Sequence, residues 1–98
     1  MTVEERFGAA LLKAWNREFD FSQLLAFIGE LDSHQLWPLS ATLYQTWLRR
    51  NQSPYQHAAF FNLGVAYSNA GDLDAAETSY RQAIALAPGF VQPRLNLA

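Results

Sequence analysis

Two histidines, nine carboxylates and no cysteine are the side chains with which this 98-residue chain could do acid–base or metal chemistry. Asp32 stands beside His34, and a carboxylate that orients an imidazole is the arrangement a general base uses. The pair reads more simply as a polar turn at the start of a helix. His57 opens another helix and reads as a solvated surface histidine. No His-Glu-x-x-His spacing occurs, and without cysteine there is no thiolate set, so no metal site is expected. Glu4-Glu5 and Glu18/Asp20 read as a solvated face and as caps, not as an acid/base pair. A glycine-rich phosphate loop follows a strand, and no segment here reads as one. No catalytic residue, cofactor or metal is therefore expected.

The bulk composition sets the frame for any other function. Half the residues are hydrophobic and 14% are aromatic, too apolar for a disordered chain. A net charge of −2 without a basic cluster argues against nucleic acid. No apolar run reaches the roughly 18–20 residues of a membrane span, and the first five residues are acidic where a signal peptide is basic. A small, bacterial-style, cytoplasmic domain is expected.

Helical periodicity runs throughout. Thr2 and Glu5 form a capping box ahead of the stripe Phe7, Leu11, Trp15. Ser22 or Asp20 can cap the second stripe, Leu24, Phe27, Ile28, Leu31. Asp32-Ser33 offers the next cap, for a stripe through Leu36, Leu39, Leu43, Trp47 and Leu48 in which Pro38 fits a first turn. Gly71 stops a fourth helix, Asp72 caps a fifth, and Pro88-Gly89 ends it. The expected helices lie near 3–18, 21–32, 35–51, 57–70, 73–87 and 91–98. The aromatics Trp15, Trp37, Trp47, Phe60, Tyr67 and Tyr80, at helical spacing, are expected in the core.

Phe60-x-x-Leu63-Gly64-x-x-Tyr67, then Ala76-x-x-x-Tyr80-x-x-Ala83, then Pro88 resembles a tetratricopeptide repeat. Phe60 stands where the motif has tryptophan and Tyr80 where it has phenylalanine, each keeping a large ring. The resemblance implies an all-α fold of antiparallel helical hairpins stacked as a short right-handed solenoid. Gly64 and Ala76 are small enough to let two helices approach closely, while Tyr67 and Tyr80 fill the space between the hairpin and its neighbour. Moving back along the chain, Leu24, Phe27, Ile28 and Leu31 align with Phe60, Leu63, Gly64 and Tyr67. Ser40, Tyr44 and Trp47 align with Ala76, Tyr80 and Ala83. The expected organisation is a capping helix over 2–18, a degenerate repeat over 21–56, a well-matched repeat over 57–90 and the first helix of a truncated repeat over 91–98.

Stacked hairpins of this kind present a concave groove lined by the first helix of each pair. In this register Ala58, Phe61, Asn62, Val65, Ser68 and Asn69 face it, continued by Gln92, Leu95 and Asn96. Of the neighbours Phe60 and Phe61, the first is expected in the core and the second in the groove. The implied function is an interaction module that binds a peptide or partner protein, without lysine or arginine in the groove. The Asn62-Leu63-Gly64 phrasing, the Ala87-Pro88-Gly89-Phe90 junction and the run Leu43–Leu48 also resemble bacterial Spindly-type O-linked N-acetylglucosamine transferases. That resemblance implies the alternative of a substrate-recognition arm, with Asn62 and Asn96 as rungs of an asparagine ladder and the catalytic domain lying elsewhere. One good repeat, one degenerate repeat and half of a third lead us to expect a piece of a longer protein. Phe90, Val91, Leu95 and Leu97 are then an apolar end through which copies could self-associate.

Overall fold

The chain stops and starts its helices largely with its own side chains. The computed structural model describes residues 2–89, which form α1 (Val3–Trp15), α2 (Phe21–Ser33), α3 (Trp37–Arg50), α4 (Gln56–Asn69) and α5 (Leu73–Leu86). There is no strand among the described residues. The fold is all-α, a stack of helical hairpins. Thr2 and Glu5 cap α1 as the capping box expects, each side chain accepting from the other's backbone N–H at 3.1 Å. A second capping box opens α2: Gln23 N–H donates to Asp20 Oδ1 at 2.7 Å, and Asp20 N–H donates to Gln23 Oε1 at 3.0 Å. Asp72 accepts from Ala75 N–H at the start of α5. Pro38 sits in the first turn of α3, where its missing N–H costs no helical bond.

Three helices end in the same backbone device. Beyond α4, Gly71 takes φ +86°, its N–H donates to the Ser68 carbonyl, and the Asp72 N–H donates to the Tyr67 carbonyl. This paired closure satisfies carbonyls that the last turn leaves without partners. The same two bonds close α1 around Arg17 (φ 62°) and α2 around Gln35 (φ 57°). Because the left-handed position is not glycine in either case, the expected ends are displaced. α1 stops at Trp15, three residues short of Glu18, and Asp32-Ser33 belongs to the last turn of α2 instead of capping α3. Leu36 opens α3 without a side-chain cap. His34 accordingly closes a helix instead of starting one.

The core is a continuous apolar seam from Val3, Ala10 and Ala14 of α1 through Leu24, Ile28 and Leu31 of α2. It continues through Leu43, Tyr44 and Trp47 of α3 to Ala59, Leu63 and Ala66 of α4. Both aligned triplets, Ser40/Tyr44/Trp47 and Ala76/Tyr80/Ala83, are buried. Trp47 is 1% exposed, and its indole N–H donates to the Phe19 carbonyl at 2.9 Å, fixing the α1–α2 connection to α3. Ser40, buried among apolar side chains, donates to Asp32 Oδ1 at 2.7 Å.

At the α4–α5 crossing the absent side chain of Gly64 is replaced by a ring. A β-carbon built there would stand 2.5 Å from Tyr80 Cε1 and 2.7 Å from Cδ1. Tyr80 therefore fills the inside of the hairpin and not the space toward its neighbour, because glycine leaves a recess of ring width. Trp15 also departs from its expected place in the core. It is 48% exposed and lies under the Arg50 guanidinium, 4.4 Å from the ring centroid. The expected helix over 91–98, with Gln92, Asn96 and the apolar end of Phe90, Val91, Leu95 and Leu97, lies outside the described residues.

Candidate functional site

The spacing i, i+3, i+4, i+7 puts four residues on one helical face, and two helices use it toward the same space. α2 contributes Leu25, Ile28, Gly29 and Asp32, while α4 contributes Asn62, Val65, Ala66 and Asn69. α3, packed against both helices, adds Trp37 and Tyr44. Together they line a cleft of about 250 Å³. That is below the roughly 300–1,000 Å³ of pockets that hold a whole small ligand, and it suits one or two inserted side chains.

Polar groups converge in this cleft. Tyr44 is buried, with the Asn62 side chain and the Asp32 carboxylate both near enough to act on its phenol. Burial, followed by the charge of Asp32, pushes the Tyr44 hydroxyl well above the usual tyrosine range, and the Asn62 hydrogen bond offsets this in part. Asp32 accepts from Ser40 at 2.7 Å and forms no ion pair among the described residues. No lysine or arginine lines the cleft among the described residues.

Of the groove residues expected from sequence, Asn62, Val65 and Asn69 come together here. Phe61 does not line this cleft. Its ring is half-buried with its centroid 5.8 Å from that of Tyr80 on α5. Phe60 packs partly buried against the core and lines a depression with Leu63, Tyr67, Ala75 and Ser79. Phe60 thus lies against the core as expected, while Phe61 meets Tyr80 of the hairpin partner and not the cleft. Ala58 and Ser68 are absent from the cleft wall. Asn62 is half-buried, with its side chain beside the Tyr44 phenol.

The sequence reading missed Leu25, Asp32, Trp37 and Tyr44. A signal existed for two of them. The alignment of Leu24 with Phe60 carries the groove positions Phe61, Val65 and Ser68 back onto Leu25, Gly29 and Asp32. Trp37 and Tyr44 come from α3, whose aromatics the sequence places in the core.

A larger depression of about 750 Å³ lies where the α1–α2 connection meets the α3–α4 loop. Its wall includes Phe19, Phe21, Trp47 and Tyr55, with Phe21 and Tyr55 stacked at 5.2 Å between centroids. Phe21 packs between Tyr55 and Trp47 and so ties the two connections together. We assign the candidate site to the smaller cleft, where hydrogen-bonding groups converge from three helices.

The isolated chemistry considered for His34 has no support in the geometry. Its Nδ1 lies 2.9 Å from the Glu30 carbonyl and 3.2 Å from Ser33 Oγ, while Asp32 is engaged with Ser40. Among the described residues no group of three or more His, Cys, Asp or Glu side chains gathers as a metal site would require. Also among them, no helix is long and apolar enough to cross a membrane.

Comparison with known families agrees with this geometry. Residues 57–90 match the tetratricopeptide repeat family model. The matched stretch takes in α5 and all but the first residue of α4, so this hairpin is similar to a tetratricopeptide repeat, a unit whose general role in that family is protein–protein interaction. No curated protein and no solved structure matches the chain.

Proposed function

We propose that this chain is a non-catalytic interaction module that receives an extended peptide or a segment of a partner protein in the cleft between α2 and α4. The observation that carries the reading is the pair of matching helical faces, Leu25/Ile28/Gly29/Asp32 and Asn62/Val65/Ala66/Asn69, held apart over Trp37 and Tyr44. A solenoid presents such faces to an extended chain, whose backbone needs donors and acceptors regardless of sequence. Asn69 is exposed and supplies both, and the half-buried amide of Asn62 carries a donor and an acceptor as well.

The alternative reading is the substrate-recognition arm of a Spindly-type O-linked N-acetylglucosamine transferase. The presence of Asn62 in the cleft favours it, and it uses the same surface. A nucleotide-sugar-binding domain in the same polypeptide would mark that arm, whereas further repeats or another class of domain would mark a general interaction module.

Selection from a random linear peptide library on the immobilised chain tests the site. Selected peptides should lose at least about tenfold in affinity on Val65→Arg, which fills the cleft, and measurably on Asn69→Ala. Peptides indifferent to both changes, but lost on Tyr55→Ala, would place binding at the loop depression and overturn the assignment.

A further inference from the structure

The cleft holds a charge without a counter-charge. Asp32 is half-buried on its wall, has one oxygen accepting from Ser40, and has no cation within ion-pair distance among the described residues. Two carboxylates outside the cleft pair directly with arginine, Glu30 with Arg6 at 2.8 Å and Glu77 with Arg81 at 2.8 Å, and neither arginine lines the cleft. A carboxylate removed in part from water and left unpaired is costly, and a bound cation relieves that cost. Lining the same cleft are the half-buried Trp37 ring and the amide of Asn62, above the buried Tyr44. Ring faces attract cations, tryptophan most strongly, and an ammonium or guanidinium donates readily to a carboxylate and an amide oxygen.

We infer that the cleft is specific for peptides carrying a lysine or arginine, whose cationic head meets Asp32 while its aliphatic stem runs along Trp37 and Val65. The inference rests on the peptide-binding reading and names the class of peptide. The cleft volume of about 250 Å³ suits one such side chain. A glutamate or aspartate at that place would face Asp32 with like charge and is excluded.

The test uses capped pentapeptides Ala-Ala-X-Ala-Ala with X lysine, arginine, norleucine or glutamate, titrated against the whole chain. Affinity is read from the Trp37 indole N–H resonance. The lysine and arginine peptides should bind about tenfold more tightly than norleucine, with the glutamate peptide weakest. Added salt should narrow the difference. Asp32→Asn keeps an acceptor for Ser40, so it should fold as the parent does and abolish the preference for cations. Norleucine binding as tightly as lysine, or a preference that survives Asp32→Asn, would overturn the inference and leave the cleft as a peptide site. Silence of Trp37 toward all four peptides would overturn both.

Discussion

Arg17 and Arg50 each cap the helix that carries the other. Arg17, just beyond the end of α1, donates from Nε to the Arg50 carbonyl at 2.9 Å. Arg50, the last residue of α3, donates from Nε to the Trp15 carbonyl at 2.8 Å and lies across the Trp15 ring. Asn51 adds a bond from Nδ2 to the Ala14 carbonyl at 3.1 Å. The C-terminal ends of α1 and α3 are thereby tied together, with cations placed at the negative ends of both helix dipoles. The exchange also explains why Arg17 adopts a left-handed conformation that glycine would fill more easily: its side chain reaches the neighbouring helix from there.

Arg17→Ala should therefore destabilise the fold by about 0.5–1.5 kcal/mol, the net value of an ordinary hydrogen bond. Arg50→Ala should cost more, since it also uncovers Trp15. Urea unfolding measures both, and the losses should be less than additive in the double variant because the two bonds hold one junction. An Arg50→Ala protein as stable as the parent would contradict the reciprocal cap.

The glycines divide by what surrounds them. Gly64→Ala should destabilise by about 1–3 kcal/mol, because its methyl group would enter the space of the buried Tyr80 ring. Gly8 lies inside α1 with nothing within 4 Å of a β-carbon, so Gly8→Ala should stabilise by about 0.5–1 kcal/mol. Thermal melts of the two variants should shift in opposite directions, and shifts of the same sign would refute the assigned crossing.

Gln35 takes φ 57° at the end of α2 without a long-range side-chain bond to reward it. Gln35→Gly should raise stability by up to about 1 kcal/mol, the left-handed strain removed less the added freedom of the unfolded chain. A lowered melting temperature would show that the paired closure of α2 does not control that end.

These two non-glycine closures also mark what the sequence conceals. The helices, the capping box at Thr2/Glu5, the Gly71-Asp72 turn and the buried positions of the repeat follow from local periodicity and cap chemistry. The ends of α1 and α2 do not, since Arg17 and Gln35 carry no local signal for a left-handed residue. The partner of Trp15 is Arg50, 35 positions away, and the partner of Trp47 is the Phe19 carbonyl, 28 away. Most of the α4 wall of the cleft was legible, through Asn62, Val65 and Asn69. The α2 wall was hidden because Leu24, Phe27, Ile28 and Leu31 match the core positions of α4, while Leu25, Gly29 and Asp32 share no residue type with the groove positions Phe61, Val65 and Ser68.

Tyr44 should keep its proton beyond the ordinary tyrosine pKa of about 10. The unfolded chain releases that proton near pH 10 and the folded chain only at higher pH. Stability is therefore intact below pH 10 and falls as pH rises above it. Ultraviolet titration should show a tyrosine ionising above the ordinary range, and Tyr44→Phe should remove that late step and make alkaline unfolding less steep. Absence of the late step from the parent protein would contradict the burial of Tyr44 beside Asp32.

The three tryptophans stand at three separate places, so their indole N–H resonances locate a bound peptide in a single spectrum. Trp37 lines the cleft between α2 and α4, Trp47 borders the loop depression while bonded to Phe19, and Trp15 lies beneath Arg50 at the far ends of α1 and α3. On titrating the labelled chain with a library-selected peptide, the Trp37 signal should move progressively and saturate while those of Trp15 and Trp47 stay in place. A spectrum in which Trp47 or Trp15 moves and Trp37 does not would contradict the assignment of the cleft as the peptide-binding site.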